Sequence, residues 1–187
     1  MSHLKQQLRT QLLAARSESA AADADAPLYG HLKGVLARAG GPVAAYFPQP
    51  NEPNILPFIS ELDRVLIPRL FDASGERLPA GTWGWHRRGE PWERPRPAGP
   101  AQPGITAADL QVGTVLLPAL AVDRSGTRLG RGGGWYDRAL LALPGAPLRI
   151  AVVFPDEVLA AGALPRDPHD VPVDGVVTAA GWEFFNR

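Results

Sequence analysis

Hydrophobic and polar positions follow two rhythms along this chain. Between residues 4 and 16, apolar side chains recur at Leu4, Leu8 and Leu12, the spacing of one helix face. A second helical stretch follows Pro27, with Leu28, Leu32, Val35 and Leu36 on its apolar side, and Gly40-Gly41 ends it. Short apolar runs bounded by turn residues come next, at 43–47, 65–67, 115–122, 150–154 and 176–177. Runs of this kind suit strands buried on both faces, as in a parallel sheet. Residues 55–62 and 136–143 have the length and composition of helices between them. The alternation predicts an α/β fold: a three-layer α/β/α sandwich around a mostly parallel, Rossmann-like sheet.

Composition narrows the function classes. The 187 residues fit one domain spanning 1–187, and 45% hydrophobic with 20% charged residues is an ordinary globular balance. Lys plus Arg equals Asp plus Glu at 19 each, so no overall field draws the protein to nucleic acid or membrane. Any anion site must be a local concentration of positive charge. The absence of cysteine excludes disulfides, thiolate metal sites and a Cys nucleophile. No apolar run approaches the ~20 residues of a membrane helix, and no signal-peptide core is visible, so a cytoplasmic protein is expected. One segment, 89–104, is dense in proline and reads as a surface loop.

The densest chemical signal is Arg128-Leu129-Gly130-Arg131-Gly132-Gly133-Gly134-Trp135-Tyr136-Asp137, which runs into a predicted helix. Four glycines let the backbone approach a ligand and turn N–H groups inward. The helix start and two arginines add positive charge, and together these make a phosphate cradle. It is not a Walker A loop, because no Lys-Ser/Thr follows. Nor is it a dinucleotide fingerprint, because Trp135 stands in place of the third glycine. Asp137 would ordinarily complement the helix dipole; beside a phosphate, Mg²⁺ would reconcile carboxylate and phosphate oxygens. Asp170, in His169-Asp170-Val171-Pro172-Val173-Asp174, is a second candidate metal ligand. Lys5 and Arg9 are four apart and Arg16 lies on nearly the same azimuth. That stripe is either solvated or aimed at a nucleotide phosphate, and spacing does not choose.

These motifs, with Tyr46-Phe47-Pro48 leading to Glu52, Ile67-Pro68-Arg69 and Leu117-Pro118 through Asp123, resemble the 5-formyltetrahydrofolate cyclo-ligase (5,10-methenyltetrahydrofolate synthetase) family over most of the chain. The Arg-Leu-Gly-x-Gly-x-Gly-aromatic-Tyr-Asp loop is the specific element. The resemblance implies ATP as co-substrate and Mg²⁺ as metal. Lys5, Arg9, Arg128, Leu129, Gly130, Arg131, Gly132, Gly133, Gly134, Trp135 and Tyr136 would bind ATP. Residues 131–135 would also touch the folate, with Phe47 and Glu52 lining its site, and Asp137 and Asp170 would hold Mg²⁺. The departures are Trp135 where many members have Tyr, Ile55 where a threonine is common, and Ala98 where an aromatic often stands. Trp83, Trp85 or Trp92 would then supply ring stacking.

The implied reaction converts 5-formyltetrahydrofolate to 5,10-methenyltetrahydrofolate. The N5-formyl group is an amide with a poor leaving oxygen. Phosphorylation of that oxygen by ATP, attack by N10 and loss of phosphate close the ring. This is positioning and charge neutralisation, so no protein nucleophile is assigned. Partners are small molecules only, and a monomer is expected. The alternatives are a catalytically inactive relative binding nucleotide or folate, an interaction module acting through the proline-rich segment, and a different ATP-dependent ligase or kinase.

Overall fold

The computed structural model describes residues 3–18, 25–72, 74–92, 105–106 and 111–185. Most of the proline-rich segment, and Ala98 with it, lies outside these. The elements are α1 (His3–Glu18), α2 (Asp25–Ala39), β1 (Val43–Ala44), α3 (Leu56–Ile59), β2 (Arg64–Pro68), β3 (Thr82–Arg87), β4 (Ile105–Thr106) and β5 (Thr114–Pro118). They continue with β6 (Ala121–Asp123), β7 (Arg128–Leu129), α4 (Trp135–Ala142), β8 (Leu148–Val152), β9 (Val158–Leu159), β10 (Gly175–Thr178) and β11 (Gly181–Phe184).

Eight strands form one sheet in the order β11-β10-β8-β5-β1-β2-β3-β4. Its centre, from β10 to β2, is parallel, and antiparallel strands close both edges. Consecutive residues of the central strands point to opposite faces. Val65, Ile67, Leu116, Ile150 and Val152 pack on one side with Leu28, Leu32 and Val35 of α2 and with Phe58 and Ile59 of α3. Leu66, Val115, Leu117 and Ala151 pack on the other with Ala139 and Leu140 of α4. This is the expected α/β/α sandwich, with each apolar run buried on both faces.

The elements depart from expectation in three places. The apolar run at 115–122 is not one strand. It ends in Pro118, turns at Ala119-Leu120, and resumes as β6 in a separate sheet ordered β7-β6-β9. Both halves are buried, so hydrophobicity alone could not show the break. The helix expected at 55–62 is a single turn, α3: Ser60 donates its Oγ–H to the Leu56 carbonyl at 2.6 Å, competing with helix continuation. Strands β3, β7, β9 and β11 carry too few apolar residues in a row to be read from pattern.

Helix α1 also differs. Leu8 and Leu12 pack against Ala121, Leu129 and Leu164 as expected, but Leu4 is exposed. Its most buried residues are Lys5, Arg9 and Arg16. The basic stripe is the inward face of α1.

Candidate active site

A cavity of about 410 Å³ opens beyond the C-terminal ends of β1, β2 and β5, lined there by Tyr46, Phe47, Ile67, Pro68, Pro118 and Ala119. From β1 the chain moves one way across the sheet to β2 and β3, while β5, β8 and β10 lie on the other side. The crevice thus sits at the switch point where open α/β sheets bind ligands, and its volume is that of a small-molecule site.

The glycine-rich loop links β7 to α4 and forms one wall. Gly132 and Gly134 adopt φ of 101° and 61°, which a side chain with a Cβ disfavours. The Arg128 guanidinium is buried at the loop's start, where its Nη2 donates to Asp137 Oδ1 at 3.0 Å. The Asp137 oxygen also accepts the Val171 N–H at 3.3 Å, which joins the loop to the 167–170 turn. Burial pushes the Tyr136 phenol well above its ordinary range, so it stays neutral.

Helix α1 forms a second wall. Arg9 Nε donates to the Gly130 carbonyl at 2.8 Å, and a Cβ at Gly132 would stand 3.4 Å from the Arg9 guanidinium. Lys5 Nζ donates to Asp167 Oδ2 at 2.8 Å and to Asp170 Oδ2. Burial alone would raise the Asp170 carboxyl. The hydrogen bonds from Lys5 and from the Asp167 N–H outweigh it and hold Asp170 below its ordinary range. Burial would likewise lower the Lys5 ammonium, but its two carboxylate partners raise it, so both groups are charged at neutral pH.

Across the cavity, Glu52 is buried after β1. Its Oε1 accepts from Arg131 Nε at 2.9 Å and its Oε2 from the Gln49 N–H at 3.0 Å. Arg131 Nη2 also donates to Asn51 Oδ1 at 2.5 Å. One arginine of the glycine loop therefore bridges both sides.

The model of the 5-formyltetrahydrofolate cyclo-ligase family matches residues 1–179. A 5-formyltetrahydrofolate cyclo-ligase from Mycolicibacterium smegmatis is 41% identical, over 93% of each chain. This chain belongs to the 5-formyltetrahydrofolate cyclo-ligase family. Two solved 5,10-methenyltetrahydrofolate synthetases share its fold. The one from Aquifex aeolicus has a TM-score of 0.74 at 22% identity, over 98% of this chain and 94% of that one. The one from Mycoplasma pneumoniae has a TM-score of 0.66 at 20% identity, over 92% and 97%.

Every residue that the cyclo-ligase resemblance assigns to ATP, the folate site or Mg²⁺ lies on this one cavity: Lys5, Arg9, Phe47, Glu52, the ten residues of the glycine loop and Asp170. The basic stripe of α1 divides: Lys5 and Arg9 reach the cavity and Arg16 does not. Asp167, His169 and Gln49 also line it and were missed. Asp167 opens the turn Asp167-Pro168-His169-Asp170, closed by the Asp170 N–H donating to the Asp167 carbonyl at 3.0 Å, and that turn sets its carboxylate beside that of Asp170. The tryptophans proposed for stacking lie elsewhere, and none of the three lines the cavity. Trp83 is fully buried against Trp135, and Trp85 lies beneath the Arg64 guanidinium. Trp92 stacks on His86 with ring centroids 3.5 Å apart and meets Phe47 edge-on. At the position where a threonine is common, Ile55 is wholly buried and offers only core packing.

The donor set fits a hard dication. Asp137 and Asp170 present carboxylate oxygens, tied together through Val171, beside a glycine-arginine anion cradle. Asp167, Asp170 and His169 also bring ligand atoms within 4.8 Å of one another. No helix among the described residues is long and apolar enough to cross a membrane.

Proposed function

We propose that this chain converts 5-formyltetrahydrofolate to 5,10-methenyltetrahydrofolate with conversion of ATP to ADP and phosphate. One observation carries the reading: the arginine-glycine loop with Lys5 and Arg9, and Glu52 with Phe47, face each other across a single cavity. A nucleotide triphosphate against the loop and a pterin against Glu52 would bring the γ-phosphoryl group and the formyl oxygen together.

In this arrangement Lys5, Arg9, Arg128 and the loop N–H groups hold the triphosphate and neutralise its charge. Asp137 and Asp170 would hold Mg²⁺, whose charge would bind phosphate oxygens and offset their repulsion of these carboxylates. Arg131, at the boundary, exchanges Glu52 for phosphate and frees a carboxylate that accepts paired N–H donors from the reduced pterin ring. The formyl oxygen takes the γ-phosphoryl group as the bond to ADP breaks. N10 then attacks the formyl carbon, loses its proton, and phosphate leaves with the former formyl oxygen. The protein supplies position and charge, which is why the cavity needs no nucleophile.

The test is growth of the methenyl chromophore when purified protein, Mg²⁺ and ATP meet 5-formyltetrahydrofolate. ATP turnover that is independent of folate, or none at all with both ligands bound, overturns the catalytic reading; the latter favours an inactive binding relative. We further propose a cytoplasmic protein and a monomer of 20.0 kDa, the oligomeric state being checked by sedimentation.

A further inference from the structure

Among the described residues, four cations and four carboxylates line the cavity: Lys5, Arg9, Arg128 and Arg131 against Glu52, Asp137, Asp167 and Asp170. A phosphate cradle is expected to carry a surplus of positive charge, yet this one is balanced. Three of its cations are already in ion pairs: Arg128 with Asp137, Arg131 with Glu52, and Lys5 with both Asp167 and Asp170. On the reading above, Asp137, Asp170 and Glu52 have ligands of their own. Asp167 has none.

Its geometry shows what it touches. Asp167 Oδ2 lies 2.8 Å from the Lys5 ammonium, which is buried, whereas the Asp167 side chain is 31% exposed at the cavity rim. Its N–H donates to Asp170 Oδ2 at 2.7 Å, so the backbone of residue 167 orients one carboxylate while its side chain holds the cation between the two. Lys5 thus carries one positive charge against two negative ones. An incoming triphosphate without a dication meets no surplus cation there; it must draw Lys5 away from Asp167 and sit beside the carboxylate left behind. When a dication occupies Asp137 and Asp170, the ligand is less anionic, and Asp167 is the partner that keeps Lys5 facing the cavity.

We infer that Asp167 is a positioning residue for Lys5 that makes nucleotide binding conditional on the divalent cation. This rests on the cavity being the nucleotide site proposed above. Metal-free triphosphate binds only by breaking the Lys5–Asp167 attraction, whereas the metal-bound form leaves that pair in place, so removing the Asp167 charge helps the metal-free ligand more than the metal-bound one. Asp167→Asn preserves the backbone N–H to Asp170 and the shape of the rim.

The experiment is equilibrium binding of ATP, by calorimetry, to wild type, Asp167→Asn, Lys5→Ala and the double variant, in EDTA and in saturating Mg²⁺. Asp167→Asn is expected to tighten metal-free ATP binding ~tenfold and Mg-ATP binding by no more than ~threefold. In the Lys5→Ala background most of that gain disappears, because the effect passes through Lys5. Asp167→Ser gives the same direction and guards against an effect peculiar to asparagine. An unchanged metal-free Kd, equal gains with and without Mg²⁺, or a gain that persists in full without Lys5 overturns the inference. Failure of wild type to bind Mg-ATP at all sinks instead the assignment of the cavity to nucleotide.

Discussion

Helix α1 buries three cations on one face, and its two ends use them oppositely. At the C-terminal end, Arg16 Nε and Nη2 reach the two oxygens of Glu157 at 2.5 and 2.7 Å, and Nη2 also donates to the Ala119 carbonyl. Glu157 Oε2 in turn accepts the Phe154 N–H at 2.9 Å, and the Phe154 ring lies 5.3 Å from the guanidinium carbon. That network ties α1 to the turns after β5 and β8, and its carboxylate, Glu157, lies off the cavity. Toward the N-terminus, Lys5 and Arg9 are as buried, but their partners line the cavity. An ion pair sealed in the interior holds the fold, whereas one facing a cavity can be exchanged for a ligand. All three carry one positive charge on the same face of α1; only what lies opposite differs.

The comparison is tested most severely at Arg16. Arg16→Met leaves Glu157 charged and buried without its partner, so unfolding free energy should fall by ~3–5 kcal/mol. Denaturant melts measure this, and ATP affinity of the folded fraction should hold. A stable variant that binds ATP poorly would mean that Arg16 belongs with Lys5 and Arg9.

Gly132→Val places a branched side chain at φ 101° beside Arg9, and turnover should fall by ~100-fold or more, further than in Arg131→Lys, which retains the charge. Near-normal turnover in the valine variant would show that the loop does not need its bend to meet the nucleotide.

Lys5→Ala or Arg9→Ala should raise the ATP Kd by about one to two decades, each removing a charge-assisted contact of ~1.5–3 kcal/mol. Alanine keeps α1 helical, so melting should change far less than in Arg16→Met. Unchanged Kd in both would make the whole stripe structural. On the opposite wall, Glu52→Gln should raise the KM for folate about thirtyfold with ATP affinity little altered; equal losses for both ligands would indicate a collapsed loop.

The smallest effect concerns acid. Asp123 belongs with Arg16: it is buried and accepts from the N–H groups of Ser125, Thr127 and Leu164 and from the Ser125 hydroxyl. Burial would raise its carboxyl, but these hydrogen bonds lower it below the ordinary value of ~3.9. A depressed folded-state value contributes stability that is complete above the unfolded value and is lost as pH falls through the folded one. Melts from pH 5 to 2.5 should show a decline that is shallower in Asp123→Asn. The same decline in both would remove Asp123 from the closed group.

Much of this was legible along the chain. The apolar runs became strands buried on both faces, because a run with no polar positions leaves no face for solvent. The loop from Arg128 to Asp137 was legible because its glycines, arginines and acid are contiguous and their chemistry is local. Short strands such as β7 and β9 were not, because two residues carry no period. Asp167 was not, since a turn acid becomes informative only once Lys5, 162 residues away, is seen against it.

The amino-acid sequence by itself determined the layered α/β class, the anion-binding loop and the family, because each depends on neighbours in the chain or on a run of contiguous residues. Tertiary structure alone decided which cations of α1 serve the fold and which face the cavity, where the apolar run at 115–122 breaks between two sheets, and that the cavity's charges are balanced. Those outcomes depend on long-range contacts, since a charge is defined by the groups packed against it and no spacing within one helix records what those are.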